Sequence, residues 1–422
     1  MLNNRTLAVL LALGLLLPAL SAQAVPREDI LGLQDQVNRM RMFNNVHFWL
    51  QHFGDPDPYD GDYTGTCCVA SDNAWDVVSA LRDSLVGYGW DAGLEEFSFE
   101  HPDFGTVTSW NVIARKDGWH ADGMIVMGCH WDTVDEKLPN GIPGDGDDDE
   151  TPYTSFDDPN NPAPGADDNG SGTAAVLEMA RILGRCSFRQ DVEICFFGAE
   201  EIGIKGSEFR VQQLDAAGIN VAGYFNVDMI GFDADAFDFK LFYDPQSNWF
   251  KNVVTGYLDD YTSMPYVIEQ VGSSWSNSDL LHFWQNSKPA VGFWEGSDHA
   301  PFWNQSLDVT DNSISGTGTF LLEMTRTILA VFCEWADVRV TTAAEDPPLA
   351  DSALNAWPNP FHAGQGVTLR FAPADPSMSR ELTVFDIQGR RLRSLTANDS
   401  GQAHWDGRDT TGAPLAAGVY LV

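Results

Sequence analysis

The alternation of apolar, strand-like runs with helix-like segments constrains this fold more than any other feature of the sequence. Residues 124–128 form a continuous apolar run bounded by glycine, and similar runs recur at 192–197 and 221–228. Segments with apolar residues at helical spacing, 170–183 and 206–216, separate them. Strands that are apolar on both faces are typically buried between helices, so the pattern predicts an α/β sheet with crossover helices.

Similar patterns extend the predicted domain on both sides. Residues 25–90 are mostly helical in pattern, and Ser71 or Asp72 is expected to cap a helix at 74–86. The other predicted elements are strands at 107–114 and 289–294 and helices at 248–258 and 320–336.

The N-terminal residues have the order of a secretory signal peptide. Arg5 precedes an apolar run at 7–20 that is short for a bilayer crossing, and Ala-Gln-Ala at 22–24 has the small-x-small form of a cleavage site. We therefore predict a signal peptide at 1–24 and a secreted or cell-surface protein. No later stretch is long and apolar enough to predict a transmembrane helix.

A change of composition divides the remainder of the 422 residues. The α/β domain is predicted at 25–340, and residues 341–352, rich in Thr, Ala, Glu, Asp and Pro, are typical of a linker. Short strand-like runs separated by turns at 353–422 predict a small all-β sandwich domain. The sequence stops within a strand-like run, so we expect this domain to be truncated.

The charge balance restricts the partners. There are 24 Lys and Arg against 61 Asp and Glu, a formal net charge of −37. Such a surface repels nucleic acid and anionic membranes, and it is compatible with metal cations.

Six cysteines are present without a Cys-x-x-Cys pair, which gives no sign of a zinc ribbon. In an exported protein they allow disulfides in 15 pairings, although Cys129 and Cys195 lie in strand-like runs and are expected to be buried thiols. The alternating carboxylates at 145–150 suggest calcium, but they lack the glycine and terminal glutamate of an EF-hand loop, so a solvated acidic loop is favoured.

Metal-type ligands follow four of the strand-like runs. Separately, each has a structural explanation, since His130 resembles a core histidine, Asp168 a helix cap and Asp228 a turn acid. In an open α/β sheet the loops after the strands gather at one crevice, where a set of His and carboxylate ligands suits zinc. The candidates are His130 with Asp132, Asp167 with Asp168, Glu200 with Glu201, and Asp228.

Around these residues the chain resembles the secreted two-zinc aminopeptidase family. The segments that carry the resemblance are CHWDT at 129–133, GADDNGSG at 165–172, FGAEEIG at 197–203 and NVDMI at 226–230, and NVIA at 111–114 matches the family's preceding strand. They occur in the family's order, and the resemblance covers residues 27 to 340.

The resemblance implies a mixed eight-stranded sheet flanked by helices and a site with two zinc ions. Asp168 would bridge the ions, His130 and Asp228 would complete one site, and Glu201 would help to hold the other. Asp132 would orient His130. Glu200 would be the general base for the metal-bridging water that attacks the scissile carbonyl.

The sequence departs from the family at its last metal ligand. The segment FWNQSLD at 302–308 places Asn304 where the family has histidine, and SDLLH at 278–282 places Leu280 at a second such position. His299, five residues before Asn304, is therefore predicted as the ligand beside Glu201. The alternatives are a second site that is weak, empty or completed by Asn304.

The implied function is a zinc exopeptidase that removes N-terminal residues from peptides. Glutaminyl cyclases and carboxypeptidases share the fold and most ligands, and a binding protein with a degraded second site also remains open. In the tail, WPNPF at 357–361, VFDIQGR at 384–390 and WDG at 405–407 resemble immunoglobulin-like sorting domains. They imply contact with secretion machinery or the cell surface, and the alternative is a spacer.

Overall fold

The computed structural model describes most of the α/β region and parts of the tail. Predictions for residues 1–24, 145–150 and 341–352 and for His299 fall outside the described residues. The described ranges are 25–48, 66–102, 104–120, 123–135, 159–160, 162–234, 237–296, 300–305, 308–340, 355–357, 367–370, 381–386, 391–396, 402–415 and 420–421.

A mixed eight-stranded sheet organises residues up to 340. Its strand order is β1-β2-β5-β3-β6-β9-β7-β8, with β3, β5, β6 and β9 parallel and β2 antiparallel to β5. The predicted fold class is thereby confirmed for this region. The strands are β1 (Asp91–His101), β2 (Gly105–Lys116), β3 (Met124–His130), β4 (Cys186–Ser187), β5 (Asp191–Phe197), β6 (Val221–Val227), β7 (Phe239–Tyr243), β8 (Tyr266–Gln270), β9 (Ala290–Glu295) and β10 (Arg339–Val340), of which β4 and β10 pair separately.

Helices cover both faces of the sheet because its central strands are apolar on both faces. Ile125 and Met127 of β3 join one core cluster, and Met124 and Val126 join the other. Helices α4 and α9 pack in the first cluster, α5 and α7 in the second. The helices are α1 (Arg27–Gln34), α2 (Arg39–Phe48), α3 (Ala74–Gly87), α4 (Gly170–Leu183), α5 (Lys205–Ala216), α6 (Asn248–Tyr261), α7 (Leu280–Gln285), α8 (Thr310–Ser313) and α9 (Thr319–Trp335).

Local details differ from the predictions where the sequence pattern is weak. The cap of α3 is Asn73, without a side-chain hydrogen bond, whereas the Ser71 hydroxyl donates to the carbonyl of Cys68. Strands β7 and β8 were not predicted. The side chains of β8 are mostly exposed, so this edge strand has no continuous apolar run.

The residues after 340 cluster into a second unit of short strands. They pair as two three-stranded sheets, β11-β12-β15 and β14-β13-β16, around a small core that includes Val384 and Trp405. An immunoglobulin-like sandwich remains a prediction. The strands are β11 (Asn355–Trp357), β12 (Val367–Arg370), β13 (Glu381–Asp386), β14 (Arg391–Thr396), β15 (Gln402–Trp405) and β16 (Tyr420–Leu421).

All six cysteines lie among the described residues, and each is buried. The burial expected for Cys129 and Cys195 is confirmed, and no disulfide joins any of the six. Burial raises the pKa of Cys68 to about 12, which keeps its thiol protonated at neutral pH. Within the described ranges, none of the helices has both the length and the apolar character needed to cross a bilayer.

A buried ion network joins β5 to α5. Arg210 donates through Nε and Nη2 to the carboxylate of Glu193, at 2.8 and 2.7 Å, and through Nη1 to Glu95 at 2.8 Å. The Glu193 side chain is fully buried. Arg115 also contacts Glu193, at 2.6 Å, so the network carries two cations against two carboxylates.

Replacing Arg210 with methionine is expected to lower the free energy of unfolding by about 3–5 kcal/mol, because it leaves the buried Glu193 carboxylate incompletely paired. Denaturant unfolding of the purified protein measures the change. The matched control is Lys205→Met, which removes the partly exposed pair with Glu208 and should cost less than about 1 kcal/mol. Equal losses in the two variants would contradict the prediction.

Candidate active site

The site lies at the carboxyl edge of the three parallel strands β5, β3 and β6. His130 ends β3, and Asp228 directly follows β6. Asp168 precedes α4 in the loop that crosses this edge. The Nε2 atom of His130 lies 3.2 Å from Asp168 Oδ1 and 3.4 Å from Asp228 Oδ1, and all three residues are buried. The tertiary structure therefore brings together side chains that are nearly 100 positions apart in the chain.

Glu200 and Glu201 reach the same histidine from the turn after β5. One donor atom from each of His130, Glu200 and Glu201 lies within 4.8 Å of the others, and both glutamates are partly buried. The turn is sharp, with Ala199 at a φ of 59°. His130 is thus common to two possible groups of metal ligands, the other being its group with Asp168 and Asp228.

The carboxylate of Asp132 holds this turn. Its Oδ1 accepts from the backbone N–H of Glu200 at 3.1 Å, and its Oδ2 accepts from that of Glu201 at 3.3 Å. Its Oδ1 lies 3.7 Å from His130 Nδ1, whereas the backbone oxygen of Asp132 lies only 3.0 Å from that nitrogen. The backbone oxygen therefore makes the close contact that orients His130, and the carboxylate positions the two glutamates.

Asn111 anchors the turn from the neighbouring strand. Its Oδ1 accepts from the N–H of Gly198 at 3.2 Å, and its Nδ2 donates to the carbonyl of Gly206 at 2.9 Å. A Cβ atom at Gly198 would lie 2.5 Å from Ser109 Oγ, so the close approach requires glycine. The sequence identified Asn111 only as the start of a matching strand, and its positioning role depends on the pairing of β2 with β5.

Asp308 is a positioning residue that the sequence analysis did not single out. Its carboxylate accepts from the backbone N–H of Asp167, at 3.1 and 3.2 Å, and from that of Asp168, at 3.0 Å. The sequence feature that could have identified Asp308 is its position at the end of the 302–308 segment, which resembles the family's late loop. Asn169, whose Oδ1 accepts from Gly172 at 3.0 Å, is the cap of α4. Asp168 is therefore not the helix cap.

Asn304 lies beside Glu201 in the late loop. Its Nδ2 donates to Glu201 Oε2 at 3.1 Å, and its backbone is left-handed, with a φ of 55°. His299, the ligand predicted here from sequence, lies outside the described residues. Asn304 is thus the described residue of this loop that contacts the Glu201 carboxylate.

The electrostatics of the site reflect a crowd of acids. Burial raises the pKa of Glu201 well above its usual value, and the carboxylates of Asp168 and Glu200 raise it further. Burial likewise raises the pKa of Glu200, with Asp279 among the neighbours that add to it. Burial by itself would lower the pKa of His130, but the surrounding carboxylates outweigh burial and raise it. A cation bound among these residues would therefore stabilise the charged form of the two glutamates.

The donor set fits zinc. One imidazole nitrogen and several carboxylate oxygens converge within ligand spacing, and zinc takes this combination of donors. Among the described residues, no Lys or Arg forms an ion pair with Asp228 or Glu201, and Glu201 Oε1 is buried without a hydrogen-bond donor. A divalent cation would supply the missing positive charge.

Comparison with known sequences gives one matching family. The family model described as Peptidase family M28 matches residues 111–331, just over half of the chain. Leucine aminopeptidase 2 of Trichophyton equinum is 26% identical over 204 residues, which cover 46% of this chain and 35% of the relative. Leupeptin-inactivating enzyme 1 of Streptomyces exfoliatus is 30% identical over 226 residues, covering 53% and 43%. The chain thus spans less than half the length of these curated relatives.

Solved structures share the fold. The LapA aminopeptidase of Legionella pneumophila superposes with a TM-score of 0.55 at 21% identity, covering 74% of this chain and 75% of that one. The glutaminyl cyclase of Porphyromonas gingivalis superposes with a TM-score of 0.54 at 18% identity, covering 71% and 99%. Proteins with different names therefore share this architecture, and the likeness establishes the fold alone.

Proposed function

Because the chain belongs to peptidase family M28, we propose that it is a zinc-dependent exopeptidase that removes N-terminal residues from peptides. The observation that carries the proposal is the convergence of His130, Asp168 and Asp228 beside Glu200 at one edge of the sheet. The names of the aminopeptidase relatives support cleavage at the N-terminal end of the peptide.

The residues that would hold zinc are His130, Asp168 and Asp228, each of which presents a ligand atom to the same point. When bound, zinc supplies Lewis acidity that polarises a carbonyl group and makes water more acidic. Asp308 and Ser278 fix two of the ligands, since Asp308 accepts from the Asp168 backbone and the Ser278 hydroxyl donates to Asp228 Oδ2 at 3.2 Å. Such outer contacts set the orientation of metal ligands.

Glu200 is proposed as the general base. Its carboxylate takes a proton from the attacking water and returns it to the leaving amine. Burial and neighbouring acids raise its pKa, so it holds that proton more readily than an ordinary carboxylate. Asp132 and Asn111 keep the turn in place, through the Glu200 N–H and the Gly198 N–H.

A second zinc ion between Asp168 and Glu201 remains part of the proposal, with His299 as its predicted ligand. Zinc content per chain, measured by mass spectrometry after dialysis, tests it. Two ions in the wild type and one in His299→Ala are expected. One ion in both proteins would instead favour a site without the second ion, in which Asn304 donates a hydrogen bond to the Glu201 carboxylate, as it does here at 3.1 Å.

The substrate end is tested with three kinds of peptide. Release of leucine from Leu-Gly-Gly, no release from its N-acetylated form, and unchanged release from its C-terminal amide are expected of an aminopeptidase. A requirement for the free carboxylate would indicate a carboxypeptidase, and loss of ammonia from an N-terminal glutamine would indicate a glutaminyl cyclase, a fold relative of this chain. A protein that binds zinc and acts on none of them would be a binding protein.

Export is also proposed, with residues 1–24 as signal peptide and 353–422 as a sorting or attachment domain. Its basis is the order of the N-terminal residues and the resemblance in the tail. Expression in a Gram-negative host with and without 1–24, followed by fractionation, tests the first part. Retention of both forms in the cytoplasm would contradict it.

A further inference from the structure

A cleft of about 390 Å³ lies at the same edge of the sheet as the metal ligands. Strand β2 is antiparallel to β5, so the start of β2 stands beside the turn that follows β5, and Val112 pairs with Phe196. Trp110, two residues earlier, belongs to this end of β2. Trp110 lines the cleft, together with Trp75 in the first turn of α3 and Phe104 just before β2.

The cleft adjoins the catalytic turn through direct contacts. The Nε1 of Trp131, next to His130, donates to the carbonyl of Trp110 at 3.0 Å. A Cβ atom built at Gly198, two residues before Glu200, would lie 2.9 Å from that same carbonyl oxygen. The backbone of Trp110 thus touches both the strand end that carries His130 and the turn that carries Glu200.

A second wall is tied to the loop after β3. The N–H of Cys67 donates to Thr133 Oγ1 at 3.1 Å, and this hydroxyl donates to the carbonyl of Ala163 at 2.5 Å. The segment that follows Cys67 supplies residues 69–72 to the cleft. Both walls are therefore held to elements of the candidate active site.

The lining combines three aromatic residues with the polar residues Ser71, Thr106 and Thr108. Trp75 is 50% exposed and contacts Trp110 edge-on, with ring centroids 5.2 Å apart at 74°. Large exposed aromatics that form one wall of a cleft are typical of sites for apolar groups. Asp72 is also among the lining residues, and its negative charge makes the cleft unfavourable for an acidic group.

We propose that this cleft, walled by Trp75, Trp110 and Phe104, binds the apolar side chain of the substrate residue that follows the scissile bond. The inference rests on the proposed peptidase function. An exopeptidase encloses the terminal residue and lets the rest of the peptide extend outwards. The β2 wall of the cleft is two strands from β3, about 10 Å by the usual strand spacing, and one extended residue with an aromatic side chain spans this distance.

The test compares Leu-Phe-Gly with Leu-Gly-Gly, which differ only in the side chain after the scissile bond. The ratio of their kcat/KM values is expected to favour Leu-Phe-Gly in the wild type and to fall about tenfold in Trp75→Ala, since burying a phenylalanine against an aromatic wall stabilises by about 1.5 kcal/mol or more. Trp75→Phe should restore most of the ratio. The matched control is Trp249→Ala, equally 50% exposed but on α6, which should leave the ratio unchanged.

Equilibrium binding separates this inference from the proposed function. Calorimetry in the Glu200→Gln background should show Leu-Phe-Gly binding more tightly than Leu-Gly-Gly, with the preference lost when Trp75→Ala is added. If the wild type released no leucine from either peptide, the proposed function would fail, and the binding preference would still decide the role of the cleft. Equal binding of the two peptides, or a preference that Trp75→Ala leaves intact, would overturn the proposed role of the cleft.

Discussion

Replacing Glu200 with glutamine is expected to lower kcat for leucine release by about a thousandfold while the protein keeps its zinc. Proton transfer by a positioned side chain contributes roughly 10²–10⁴-fold, and the amide of glutamine cannot exchange the proton. The replacement preserves size and leaves His130, Asp168 and Asp228 in place, so metal binding is expected to persist. Steady-state kinetics and zinc content of the same preparation measure both quantities.

The control for this variant is Glu208→Gln on α5, a few residues after the catalytic turn. Glu208 forms a partly exposed pair with Lys205, so its replacement should leave kcat within about twofold, as surface substitutions usually do. Loss of zinc together with activity in Glu200→Gln would show that Glu200 acts as a ligand. Activity close to that of the wild type would exclude it as the general base.

Replacing His130 with alanine is expected to remove both zinc and activity. Zinc sites with four protein ligands bind with about 10–16 kcal/mol, so one ligand accounts for about 3–4 kcal/mol, which corresponds to at least a hundredfold in affinity. His130 is common to both groups of possible ligands, and its loss should therefore weaken any ion at the site. Competition with a chromophoric chelator measures the affinity of the wild type and the variant.

The exposed residue His120 provides the matched control, because it lies outside the site at the surface between β2 and β3. His120→Ala is expected to retain the wild-type zinc affinity and kcat. Circular dichroism of both variants checks that the fold is kept. If His130→Ala held zinc as tightly as His120→Ala, the metal site would have to be built from other residues.

The class of fold was predictable because the central strands are apolar on both faces. Runs such as 124–128 indicate burial between two layers of helices, and the structure divides their side chains between two core clusters. Strand β8 was missed for the opposite reason. β8 is an exposed edge strand, and its pairing with β7 rather than a local pattern makes it a strand.

The residues of the candidate site were recognisable from sequence because metal-type ligands directly follow predicted strands. His130, Glu200, Glu201 and Asp228 could be named in this way, since the carboxyl ends of parallel strands meet at one edge, and Asp168 was named from the GADDNGSG segment before α4. Their convergence within hydrogen-bonding or ligand distance is a finding of the structure. The assignment of their catalytic roles remains a proposal.

Contacts between distant segments were not predictable from the sequence. Asp308 accepts from the backbone of Asp168, 140 positions away, and Asn111 holds the turn at Gly198, 87 positions away. The carboxylate of Asp132 binds the N–H groups of the glutamate turn, while its backbone oxygen contacts His130. Such partners depend on which strands pair and in which register, and no local pattern encodes this information.

The alternation of strands and helices, the ligand types at the strand ends and the asparagine at position 304 could be read without a structure, because each is local or compositional. The hydrogen bond from Asn304 to Glu201 and the packing of Trp75 against Trp110 in one cleft could be seen only in the folded protein. The physical reason is that hydrogen bonds and aromatic contacts act over a few ångströms, and only folding brings α3, β2 and the loop after β5 to one edge of the sheet.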